Sequence, residues 1–232
     1  MTDESNLTLN GKQKTITIAG IALVIILPVI LSLLFAYSGL NTQDRIFYSR
    51  FIFWGEVLFM LIYANKAENQ KFLIWKEQQV DVVFFVLSVV ILYFISIGAG
   101  ILSGIPRLFG IRENNEAIKR LLPMFSQHQW LLVFVAFTAG VTEELLFRGY
   151  VLTRLSQLLK DRFSPIIISA ILFSAMHYSY KSIKELIFAF LIGLVYGFYY
   201  QKYRNILVLI VAHFSLDLIN LELSSHFYKY IK

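Results

Sequence analysis

Three places in this chain combine residue types that can activate a water molecule. The first is Glu143-Glu144-Leu145-Leu146-Phe147-Arg148, which ends a run with no other Asp, Glu, Lys or Arg from Leu121 to Thr142. On a helix Glu144 and Arg148 stand at i and i+4, on one face, and can pair. Glu143 lies roughly 100° further round, because about 3.6 residues make a turn. One arginine does not easily neutralise both acids, so Glu143 is left for other work. The second place is His177, within the uncharged run Phe163 to Tyr180. The third is His213 with Asp217, again an i, i+4 pair.

Each place has a bland explanation when taken singly. A lone apolar-segment histidine is more often a hydrogen-bonding partner between helices, and an acid four residues from an arginine is usually a local ion pair. Together, a carboxylate, two imidazoles and a second carboxylate on separate apolar segments are the parts of a hydrolytic site. Ionisable groups at membrane depth cost free energy and default to function.

That these segments lie at membrane depth follows from the composition. The chain has 232 residues, 57% of them hydrophobic and only 16% charged, where a soluble domain carries about a quarter. Its mean hydropathy is +0.65. Thr15 to Gln43 and Val82 to Pro106 contain no Asp, Glu, Lys or Arg, and crossing a ~30 Å hydrocarbon core takes about 20 helical residues. The reading is an all-α, polytopic transmembrane bundle, an integral multi-pass protein whose first partner is the lipid bilayer. The net charge of +6 is spread over the connecting loops, as topology requires, so nucleic acid is not a partner. With no cysteine, disulfides and thiolate catalysis are excluded.

Taken in order, the polar stretch Met1 to Lys14 precedes a first span, about Ile16 to Tyr37, with Pro28 expected to kink it. This block is too long for a signal-peptide core and is expected to be retained. A second span, about Ile46 to Ala64, carries Arg50 and Glu56 and is expected to turn them toward the bundle. A charged loop, Lys66 to Asp81, leads to a third span, about Val82 to Leu102. Between Ser103 and Gln129, Ile118, Leu121 and Leu122 beside Lys119 and Arg120 predict an amphipathic interfacial helix. The fourth span starts near Trp130 and ends in the acidic motif; Arg154, Lys160 and Arg162 mark the loop after it. Ser164-Pro165 reads as a capping hydroxyl and a first-turn proline, opening a fifth span to about Tyr180. A sixth, about Leu186 to Tyr200, and a seventh, about Asn205 to Leu221, complete about seven. The chain thus divides into residues 1–129, three spans and the amphipathic linker; 130–221, the helical core with the motifs; and a polar tail, 222–232. Gly100/Gly104 and Gly193/Gly197 have the spacing that lets helices approach closely.

Glu-Glu-x-x-x-Arg (Glu143, Glu144, Arg148), Phe-x-x-x-His (Phe173, His177) and His-x-x-x-Asp (His213, Asp217), in this order on separate apolar segments, resemble the CPBP family. This is the CAAX prenyl protease and bacteriocin-processing family, also called Abi, of integral membrane endopeptidases. The resemblance covers roughly Trp130 to Leu221. It implies that Glu143 is the catalytic glutamate and His177 its partner histidine, together activating water. It implies that His213 and Asp217 stabilise the oxyanion or hold a metal, while Glu144 and Arg148 brace the site. Some relatives carry Asn where this chain has Asp217. An amide donates to an oxyanion and an ionised carboxylate does not, so orienting His213 is the more natural role for Asp217.

Two schemes stay open for the cofactor. Glu143, His177 and His213 would make a His₂Glu zinc set with an open position for water, but then another base must take the proton. In the metal-free scheme, the preferred one, Glu143 is the general base. The function expected is an intramembrane endopeptidase acting on a membrane-associated peptide or protein. The resemblance suggests bacteriocin or peptide-pheromone maturation, or self-immunity, in a bacterial cell membrane. The alternatives are a membrane immunity or binding protein that cleaves nothing, which has no need of a buried Glu and two His, and a proton-coupled transporter, disfavoured because no inverted repeat is visible.

Overall fold

The computed structural model describes residues 9–111 and 116–227, and everything described is helix, turn or loop, without a strand. Among the described residues six helices are long and apolar enough to cross a membrane, so the all-α multi-pass architecture stands. The helices are α1 (Gly11–Ala36), α2 (Thr42–Lys66), α3 (Val82–Ser103), α4 (Glu116–Gln127), α5 (Gln129–Leu158), α6 (Ser164–Met176), α7 (Ile183–Tyr203) and α8 (Ile206–Phe227). Of the polar N-terminal stretch, residues 1–8 lie outside the described residues, as do 228–232 of the expected tail. Residues 222–227 of that tail are instead the last turns of α8.

The expected fifth span is the main correction, leaving six candidate crossings among the described residues instead of about seven. α6 has 13 residues, about 20 Å at 1.5 Å per residue, against a core of ~30 Å. The helix stops at His177, where the backbone tightens into a 3₁₀ turn, His177–Tyr180, closed by Lys181 at φ +53°. Its start is also capped differently from expectation. Asp161 Oδ1 accepts from the Phe163 and Ser164 amides, while Pro165 sits in the first turn. These short hydrogen bonds hold the Asp161 carboxyl below the usual aspartate range.

α1 starts five residues before expectation because Asn10 and Gln13 form a reciprocal capping box, and it runs on through Pro28 without ending. α1 and α3 turn large apolar side chains outward, among them Leu34, Val82, Phe94 and Ile101. Such a surface suits a lipid contact rather than water. α4 is the expected amphipathic helix. Lys119 and Arg120 face out, whereas Phe125 is buried against Leu131 and Leu132 of α5, with Leu121 at the edge of this cluster. The Ile118 side chain lies outside the described ones.

Two stretches read as charged loops prove to be interior. Arg154 is fully buried within α5, with Nη2 2.8 Å from Glu68 Oε2. Its donors also reach the carbonyls of Lys71 and Phe72. The segment 67–81 is thereby drawn into the bundle, burying Phe72, Ile74 and Trp75. Further along it, Glu77 accepts from the Tyr200 hydroxyl and the Ile206 amide, both at 2.6 Å, which ties the segment to the α7–α8 junction.

Close helix approach sets the geometry of the C-terminal half. A Cβ on Gly140 would lie 2.9 Å from the Phe214 amide, so the missing side chain is what lets α5 and α8 meet. The Gly193/Gly197 pair works as expected: a Cβ on either would meet α6, at 2.7 Å from Ala170 and 3.0 Å from Ile166. Gly100/Gly104 does not, since a Cβ on Gly100 would make only ordinary contact with Phe188, and one on Gly104 would meet α3's own backbone.

Candidate active site

The acidic motif lies where α5 changes its winding. The helix is regular to Glu143 and wider, π-type, over Glu144–Leu152. π segments inside α-helices are often found at functional sites. Here the two carboxylates part company: the Glu143 side chain is 24% exposed and Glu144 is fully buried.

Glu144 is held from two sides. Arg148 Nη1 lies 2.9 Å from Glu144 Oε1, the i, i+4 pair expected from spacing. His213 Nδ1 lies 2.8 Å from the same oxygen, across the α5–α8 contact that Gly140 permits. An oxygen already taking an arginine N–H is an acceptor, so His213 Nδ1 carries its proton. Arg148 is itself walled in: its guanidinium stacks 4.4 Å from the Phe173 ring centroid and 5.4 Å from that of Tyr196, and Nη2 donates to the Ile192 carbonyl. Such burial is tolerable because the charges are paired, although Glu144 Oε2 has no hydrogen-bond partner among the described residues.

The other imidazole nitrogen, His213 Nε2, faces Glu143 Oε2 at 3.9 Å and Asp217 Oδ2 at 3.6 Å. Both separations exceed a hydrogen bond. Asp217 stands within ion-pair distance of His213, as its i, i+4 spacing predicts, while the ring's hydrogen bond goes to Glu144. His177, at the end of α6, places Nδ1 2.9 Å from the Phe173 carbonyl. A carbonyl only accepts, so Nδ1 donates, and in the neutral ring Nε2 is left as an acceptor.

Glu143, His177, His213 and Asp217 all line one cavity of about 530 Å³. The structure thus gathers residues of all three sequence motifs around a single space, with Glu144 and Arg148 buried behind it. Among the described residues, no three His, Asp or Glu side chains stand in a metal-holding cluster. Glu143, His177 and His213 share the cavity without closing on one point as a ligand set.

Several neighbours were not found by reading motifs. Tyr196 and the His213–Glu144 bond carry no sequence signal, because each depends on which helix faces meet. Arg50 did carry one, as a charge inside an apolar span, and it lines this cavity. Glu56, the other charge on α2, is buried as expected, and neither of its oxygens has a hydrogen-bond partner among the described residues.

Residues 125–219 match the family model described as Type II CAAX prenyl endopeptidase Rce1-like. A CAAX-protease-like domain of the CPBP clan therefore occupies the part of the chain from the end of α4 into α8, and it contains the buried His–Glu pair. No curated protein and no solved structure matches the chain.

Proposed function

We propose that, with its CAAX-protease-like domain at residues 125–219, this protein is an intramembrane endopeptidase that hydrolyses a peptide bond of a membrane-associated peptide or protein. The observation that carries the reading is the pairing of a fully buried, arginine-bound Glu144 with His213, whose free nitrogen faces a partly exposed Glu143 across a shared cavity.

The chemistry follows from those positions. Glu143 takes a proton from water, and the oxygen adds to the scissile carbonyl carbon. With Nδ1 donating to Glu144, a second proton on His213 gives an outward Nε2–H that stabilises the carbonyl oxygen as it becomes an oxyanion. His177 Nε2, left as an acceptor, helps hold the water. When the C–N bond breaks, Glu143 returns its proton to the leaving amine, so protons balance. Asp217 contributes negative charge near His213 without a direct hydrogen bond. A secreted peptide such as a bacteriocin or pheromone precursor is the substrate class we favour, since the cavity lies among membrane helices.

The test is cleavage of a mixed peptide pool by the protein in liposomes, with new termini read by mass spectrometry. Glu143→Gln is expected to lose roughly 10²–10⁴-fold, the usual contribution of a general base, while staying folded and inserted. Wild-type turnover by E143Q ends this assignment of Glu143. Activity is expected to survive exhaustive chelation; a loss restored by zinc moves Glu143, His177 and His213 to the ligand role.

A further inference from the structure

Arg50 belongs to α2, outside the segment that matches the protease family. Its hydrogen bonds and ring contact all stay on its own helix, while across the cavity it lies within electrostatic reach of Tyr180 and Glu143. Nε and Nη2 reach Ser49 Oγ at 3.4 and 3.2 Å, and the guanidinium lies 4.9 Å from the Phe53 ring centroid. Among the described residues Ser49 Oγ is its one hydrogen-bond acceptor, and no carboxylate is within ion-pair distance. The buried arginines of α5 are different: each cross-links helices or loops through several acceptors. Arg50 cross-links nothing, so a purely structural role leaves its charge unexplained, and a charge in a span needs a reason.

What its position offers is a flat fork of five N–H donors on the wall of the cavity that also holds Glu143, His177 and Asp217. Glu143, Asp217 and Glu185 line that space beside His177, His213 and Lys184, so the three carboxylates repel an anionic substrate group unless a cation receives it. We infer that Arg50 is the substrate-binding residue that takes a carboxylate of the peptide, its fork matching both oxygens. This rests on the proteolytic reading of the cavity and adds a specificity to it. The carboxylate comes either from the peptide's free C-terminus or from an Asp or Glu side chain. Held at Arg50, it sets how far along the peptide Glu143 meets the scissile bond.

The test separates binding from catalysis by using E143Q protein in detergent. It is incubated with three random peptide pools: free C-terminus without Asp or Glu, amidated with one internal Glu, and amidated without Asp or Glu. Retained peptides are quantified by mass spectrometry for E143Q, E143Q/R50Q and E143Q/R50K. One of the first two pools is expected to be retained about tenfold or more over the third, the factor that a charge-assisted bond contributes. Whichever pool it is identifies the source of the carboxylate. R50Q should abolish the preference, and R50K, which keeps the charge without the fork, should keep part of it. Melting temperatures of all three proteins guard against misfolding; if R50Q does not fold, loss of preference is read from R50K. Equal retention of the three pools, or a preference that R50Q leaves intact, overturns the inference. Cleavage by the wild type is scored separately, so failure of the proteolytic reading is seen on its own.

Discussion

Arg148 and Arg154 stand six residues apart on α5, both fully buried and both paired with a glutamate. Around Arg154 the network is closed. Glu68 Oε2 receives two arginine N–H groups at 3.1 and 2.8 Å, Oε1 receives the Tyr150 hydroxyl at 2.7 Å, and the guanidinium stacks 4.2 Å from the Tyr150 ring centroid. Around Arg148 the network stays open. Glu144 Oε1 is shared with His213, and His213 passes the connection on to a nitrogen facing the cavity. Two arginines of one helix, each paired with a glutamate, therefore serve two ends. Burial demands a partner in both cases; what makes one of them a candidate site is the third group that joins it.

The largest effects expected from breaking this comparison are the two truncations. Arg148→Ala and Arg154→Ala should each cost about 3–5 kcal/mol by stranding a buried carboxylate, seen as lower abundance and melting temperature in membranes. A normal melting temperature for either variant contradicts the pairing at that site. Milder substitutions should then separate the two roles. Glu144→Gln is expected to lower cleavage per folded molecule about 10–100-fold, the usual effect of losing a group that orients a catalytic histidine. Glu68→Gln should leave cleavage per folded molecule unchanged and cost only stability, about 1–3 kcal/mol for the unsatisfied donors. Equal activity losses for the two would mean that both networks are merely structural. The smallest effect belongs to Asp217→Asn. At 3.6 Å from His213 Nε2 it is expected to reduce cleavage less than about tenfold, since an exposed or indirect charge contact is worth little. A loss as large as that of E144Q, measured on the same substrate, would show that Asp217 rather than Glu144 governs the imidazole.

These contrasts also mark where sequence reasoning ran out. The Glu144–Arg148 pair was legible because i, i+4 contacts lie within one helix and follow from its period alone. Arg154 was misread for the complementary reason. Its partner Glu68 is 86 residues away, and a charge beside Lys160 and Arg162 looks like a loop until the fold draws residues 67–81 inward. Asp217 does lie beside His213 Nε2, as spacing predicts, but the hydrogen bond that Nδ1 makes with Glu144 had no signal in spacing. Spacing says which side chains share a face, and packing says which of two acceptors on neighbouring helices is nearer.

Apolar blocks longer than the hydrocarbon core, few charges, and ionisable residues inside three of those blocks were enough to settle on a multi-pass helical membrane protein and to single out its candidate site residues. Those properties are local, written in composition and helical period. The number of full crossings was not: the block ending at Tyr180 is apolar enough, but its helix ends at Met176, and hydropathy measures apolarity rather than where a backbone turns. Nor was the site itself, because Glu144 meets His213 only where Gly140 lets α5 close on α8, and Arg50 reaches the cavity only through the placement of α2. Contacts between distant helices depend on complementary surfaces meeting in three dimensions, and that was decided by the tertiary structure alone.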